Sequence, residues 1–146
     1  MSTIHELAHK IRSAYHESCA GSADIGERMN LTDEAWGDAH AAMRAAYADD
    51  NHESWLTSHN AITTAALMQS RMAESARDAD EGALVDRYTA RSYMLAHLAA
   101  ACESMRRAAQ LRSGTAWTCA MQDDAERGAD QQRRTGDDAI YAIARG

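Results

Sequence analysis

ALVDRYTARSYMLAHLAAACESMRRAAQLRS, residues 83–113, runs for 31 residues without a proline or a glycine. Along it Leu84, Tyr88, Leu95, Leu98, Cys102, Met105 and Ala109 recur at steps of three, four or seven, the spacing of one face of an α-helix. At 1.5 Å per residue such a helix is roughly 45 Å long. The rest of the chain has the same character. It contains no proline, where average usage predicts about seven, and alanine is its commonest residue. Without helix breakers and rich in the best helix former, the chain reads as all-α.

Working outward from that segment, Asp78–Gly82 is a turn, and a helix from about His52 to Arg77 precedes it. Trp55, Leu56, Ile62, Ala66, Leu67 and Ala73 are expected on its inner side. Asp49, Asp50 and Asn51 punctuate the chain before it. An earlier helix carries Trp36, Ala39, His40, Met43, Ala46 and Tyr47; Thr32 is read as its N-cap and Ala48 as its end. Residues 21–30, GSADIGERMN, lack periodicity and read as a connector. The first helix opens with Thr3 and Glu6 in capping-box spacing, shows Ile4, Leu7, Ala8, Ile11, Ala14 and Ser18 on one face, and stops near Gly21.

Beyond Gly114, Thr115 reads as the cap of a shorter helix with Trp117, Ala120 and Met121. The expected architecture is an up-and-down bundle of four main helices plus a short C-terminal helical element. Residues 1–121 form the bundle domain. Residues 122–138, QDDAERGADQQRRTGDD, read as a polar spacer, and Ala139–Ala144, with Ile140, Tyr141 and Ile143, as a short apolar helix docked on the bundle.

At 146 residues the chain is long enough to bury a core without disulfides or a structural metal. With no phenylalanine, that core is built from Leu, Ile, Met, Ala and a few Trp and Tyr. Lys10 is the only lysine among 15 basic residues. An arginine bias of this kind, with abundant Ala, Gly and Asp, suggests a GC-rich coding sequence and a bacterial or phage source. Cys19, Cys102 and Cys119 are odd in number and form no C-x-x-C pair, which favours the reducing cytoplasm over a secreted disulfide framework. No stretch approaches a membrane span, and MSTIHELAHK has no apolar targeting core.

The net charge of −7 is uneven. Residues 1–80 carry 6 basic and 13 acidic side chains, and residues 81–146 carry nine of each. Binding to phosphate backbones or anionic membranes calls for clustered positive charge, so direct nucleic-acid and membrane partners are not expected. Asp33, Glu34, Asp38, Asp49, Asp50 and Glu53 instead concentrate negative charge around the second helix and the following turn, which favours a protein partner with a basic surface. Part of that cluster is also explained as helix-end charge.

His5, His9 and His16 share a stripe with Arg12 on the outer side of the first helix. The i, i+4 pair His5 and His9 has metal-ligand spacing, but no carboxylate completes the set. His40 and His59 fall on apolar faces and are expected to point inward, as is Arg91, which then needs a carboxylate, a carbonyl or an anion. With the helices adjacent, His40, His59 and Arg91 would line an interior ligand site, and His40, His59 and Cys102 would offer zinc or another transition metal three ligands. Core histidines bonded to a carbonyl are the commoner arrangement, and no cofactor is expected. There is no P-loop, G-x-G-x-x-G, H-E-x-x-H, paired Glu-x-x-His or nucleophile elbow.

Three functions follow as expectations. The first is a non-enzymatic, protein-binding helical module, an inhibitor or adaptor of antitoxin, immunity or anti-defence type, occluding a basic surface of a nucleic-acid-handling protein; size, charge and the missing catalytic motifs suggest it by analogy. The second is a metal- or small-ligand-binding bundle using His40 and His59. The third is a structural subunit of a homo-oligomer, assembled through alanine faces such as Ala41, Ala42 and Ala45 or Ala99, Ala100 and Ala101.

Overall fold

A computed structural model describes residues 2–113, 126–131 and 133–134. Four long helices, α1 (Ile4–Cys19), α2 (Ile25–Asp49), α3 (His52–Asp78) and α4 (Gly82–Arg112), pack against one another. A short helical segment follows at 126–131 and 133–134. The chain is all-α, and the bundle runs up, down, up, down. In α2 and α3, Thr32 meets Gln69 and Asp49 meets Ser54, an antiparallel register. In α3 and α4, Ser58 meets Cys102 and His59 meets Ala99, again antiparallel. The non-consecutive pair α2 and α4 is parallel, with Asp33 beside Arg91 and Met43 beside Cys102.

α3 is the central element: it touches α1, α2 and α4, whereas α1 and α4 do not meet. Alanines make this closeness possible. Ala35, Ala39, Ala42 and Ala46 form a fully buried stripe on α2, which lets helix backbones approach without side chains holding them apart. Ala41 and Ala45 pack around Ile4, Leu7 and Ala42, and Ala99 and Ala101 are buried. Of the two alanine faces considered for self-assembly, Ala100 alone is exposed.

Most helix ends lie within a residue of their expected positions. At the first, Glu6 N–H donates to Thr3 Oγ1 and Thr3 N–H to Glu6 Oε2, each at 3.2 Å, a complete capping box. Thr3→Ala should lower unfolding stability by about 1 kcal/mol in urea titration. α2 is the exception. It starts at Ile25, eight residues before the expected start, with Asp24 as N-cap accepting the Glu27 N–H at 2.8 Å. Thr32 is an interior helix residue whose hydroxyl donates to the Arg28 carbonyl at 2.6 Å. Most of the supposed connector is thus a helical turn that carries Met29 onto Met72, Ala73 and Tyr88.

The turns after α2 and α3 use aspartate where glycine is usual. Asp50 (φ 44°) and Asp80 (φ 59°) adopt left-handed backbone, which aspartate tolerates better than most residues. In the segment read as a polar spacer, Ala129 is fully buried in the main core cluster. Arg112 holds Glu126 at 2.9 Å, and the Arg133 guanidinium lies over the Tyr47 ring at 4.4 Å. Charged side chains at the rim and one small residue at the contact are enough to seat it. Thr115, Trp117, Cys119, Ala120, Met121 and the apolar stretch 139–144 lie outside the described residues. No helix among the described residues is long and apolar enough to cross a membrane.

Candidate functional site

Three of the six grouped carboxylates pair with a lysine or arginine of another helix. Asp33 pairs with Arg91 at 2.8 Å and accepts the Tyr88 hydroxyl at 2.9 Å, joining α2 to α4. Asp38 pairs with Lys10 of α1 at 3.3 Å. Asp50 accepts the Trp55 indole N–H at 2.8 Å and Arg112 at 3.1 Å. Asp49 is exposed but accepts the Ser54 hydroxyl at 3.0 Å. Glu34 is exposed, as is Glu53, whose carboxylate lies 3.8 Å from His5 Nε2. Their negative charge is therefore partly spent inside the chain.

His40 and Arg91 are brought together around one ring. The Trp36 ring lies 4.5 Å from the imidazole of His40, and the Arg91 guanidinium sits 5.1 Å from Trp36 and 5.5 Å from Tyr88. His40 Nε2 and Arg91 Nε are buried without a hydrogen-bond partner among the described residues. His59 is not part of this cluster. Its Nδ1–H donates to the Ala99 carbonyl at 2.8 Å, eight residues or about 12 Å along α4 from Arg91. Cys102 is also held elsewhere, with its sulfur 3.5 Å from Ser58 Oγ and 3.2 Å from Met43 Sδ. The expected triads of His40 and His59 with Arg91 or Cys102 do not form, because His59 and Cys102 are held at other heights along the helices, by Ala99 and by Ser58 and Met43. Among the described residues no three His, Cys, Asp or Glu side chains are grouped to hold a metal. His5, His9, Arg12 and His16 are exposed, as their stripe indicates.

Ionisation in this interior couples to stability. Burial pushes the Cys102 thiol from 9.0 up to about 12, and burial together with the Asp33 hydrogen bond pushes Tyr88 from 10.0 to about 12. Both groups fold in their protonated forms. Their contribution is complete below the unfolded pKa and is lost as pH rises through the folded one. Urea midpoints should fall between pH 9 and 12, and Tyr88→Phe should shrink that slope. His40 behaves oppositely: burial, then Arg44 and Arg91, lower its pKa from 6.5. Its contribution is present above 6.5 and fades as pH falls.

The remaining feature is one the expected core stripes obscure. Leu56 and Leu67, assigned to the inner side of α3, are exposed at 38% and 47%, and Tyr93 of α4 is exposed at 69%. Glu53, Leu56, Asn60, Thr63, Leu67 and Glu74 are all exposed and follow one another at steps of three, four or seven, so they share one face of α3. The register that sets Ser58 beside Cys102 brings Tyr93 level with Leu67. Tyr93 also lines a groove of about 270 Å³ with Ser70, Ala73, Glu74 and Arg77 of α3. Ala96 and Ala100 continue the exposed face of α4. The α3 stripe thus carries Leu56 and Leu67, separated by Asn60 and Thr63, with a carboxylate towards each end, and Tyr93 stands level with Leu67 on α4. The signal available in the sequence was Tyr93, which lies off the α4 core stripe. The chain matches no known family model, no curated protein and no solved structure.

Proposed function

We propose that the chain is a protein-binding helical module that acts by occlusion, covering a basic, amphipathic helical surface with the outer face of α3 and α4. The observation that carries this reading is the exposure of Leu56 and Leu67 on one face of α3 and of Tyr93, level with Leu67, on α4. Aromatic anchors in an apolar centre supply most of the energy of such contacts, while charged rims set orientation and rate. Glu53 and Glu74, in a chain of net charge −7, fit a partner with basic residues flanking its apolar stripe. An inhibitor or adaptor of a nucleic-acid-handling protein is the form of this function that the charge favours. Asp49 and Glu34 add long-range attraction, whereas Asp50 serves Trp55 and Arg112.

Leu67→Arg and Tyr93→Arg are at exposed positions and should leave unfolding curves unchanged. Each should weaken capture of the stoichiometric partner from source cells at least about tenfold, equivalent to about 1.4 kcal/mol. Glu53→Lys with Glu74→Lys should also flatten the salt dependence of that capture. Undiminished capture by both arginine variants contradicts the assignment. A second copy of the chain as the captured species supports the homo-oligomer in its place.

A further inference from the structure

A second site is suggested by two guanidiniums that pair with no carboxylate among the described residues. Arg28 of α2 and Arg71 of α3 line one pocket of about 330 Å³ beside the C-terminal end of α1. Arg28 Nη2 donates to Ser75 Oγ at 2.7 Å, and Arg71 Nη1 donates to Tyr15 Oη at 3.2 Å and approaches Cys19 Sγ at 3.0 Å. None of the three partners is a carboxylate. Arg28 is thus anchored on α3 and Arg71 on α1, and each guanidinium is held by a neighbouring helix beside the pocket that both line.

This chain has carboxylates in excess, 22 against 15 basic residues. Arg91, Arg106, Arg107, Arg112 and Arg133 pair with them, whereas among the described residues Arg28 and Arg71, like the scattered Arg12, Arg44, Arg77 and Arg87, do not; what sets Arg28 and Arg71 apart is that they line one pocket. Among the described residues, no carboxylate lines the pocket between Arg28 and Arg71. The nearby Asp24 is turned to its own helix, where it caps Glu27. Thr32, Met68 and Met72, each almost fully buried, give the pocket a fixed floor. Two planar, multiply donating cations on a firm floor match a dianion with several acceptor oxygens better than a single carboxylate.

We propose that this pocket binds a small phosphomonoester, with the phosphoryl oxygens held between Arg28 and Arg71. The volume exceeds that of a bare phosphate ion and leaves room for a short organic group. The site is separate from the outer face of α3 and α4, and it stands whether or not that face binds a protein.

Titration calorimetry with inorganic phosphate and with glycerol 3-phosphate tests the assignment. Saturable binding of one equivalent is expected, with the ester the tighter of the two. Arg28→Gln and Arg71→Gln should each weaken it at least about tenfold, near 1.4 kcal/mol, while Arg12→Gln, altering an exposed arginine outside the pocket, should not change it. Alkylation at Cys19, read at its own peptide by mass spectrometry, should slow when the ester is bound. Circular dichroism separates loss of binding from loss of fold, and Arg28→Lys and Arg71→Lys give a second, charge-preserving pair expected to retain weaker binding. Absence of saturable binding, equal loss in Arg12→Gln, or unchanged Cys19 alkylation at saturation would overturn the proposal.

Discussion

Trp55→Ala should cost about 3–5 kcal/mol of unfolding free energy, the range for truncating a large buried aromatic. Trp55 is fully buried near the start of α3, within the main core cluster. Its indole N–H donates to Asp50 Oδ1, and the same oxygen receives Arg112 from the end of α4. Asp50 is held in left-handed backbone between α2 and α3, so the substitution removes core volume and also leaves a strained turn with one anchor fewer. Chemical denaturation measures the loss. Trp55→Phe separates the two contributions, since it keeps much of the volume and drops the hydrogen bond. A cost under about 1 kcal/mol for Trp55→Ala is below the burial contribution of such a side chain and contradicts this account of the turn.

Ala39→Leu should destabilise by about 1–3 kcal/mol or prevent folding, because added methylenes in a filled interior force off-rotamer side chains or backbone shifts. Ala39 belongs to the stripe Ala35, Ala39, Ala42 and Ala46, all fully buried. A side chain three carbons larger at that seam pushes α2 away from its neighbours. Leucine is nearly as good a helix former as alanine, so any loss reports packing and not propensity. Denaturant midpoints for Ala39→Leu against Ala48→Leu, at an exposed position on the same helix, isolate the effect.

These expectations show which links between sequence and structure were legible. Residues 83–113 identify α4 almost to the residue, because an uninterrupted apolar period leaves one reading. The start of α2 was hidden: Gly26 and Asn30 are poor helix formers, and no apolar stripe runs through GERMN, so the cap at Asp24 carried too little signal against Thr32. The inner face of α3 departs from its apolar period for another reason. Ser54, Ser58 and Gln69 are buried polar residues, satisfied at least in part by Asp49, Cys102 and the Thr32 carbonyl. Partners on other segments made those positions tolerable inside, and a pattern that counts polar residues as outward assigned Leu56 and Leu67 in their place. His40 and Arg91 were correctly drawn together by their stripes. His59 was separated from them by axial height along the helices, which periodicity does not encode. The acidic cluster was visible by composition, but its division into structural and free carboxylates depends on tertiary pairing with Lys10, Arg91 and Arg112.

Photo-cross-linking in source cells tests the proposed role of the outer face of α3 and α4 as the partner-binding surface. A benzophenone side chain at position 93 should trap one discrete protein with a basic surface, and the adduct should disappear when Leu67→Arg is added. The same probe at position 12, on the outer side of α1, should trap nothing comparable. Adducts at position 12 matching those at position 93, or no adduct from position 93, would contradict the account.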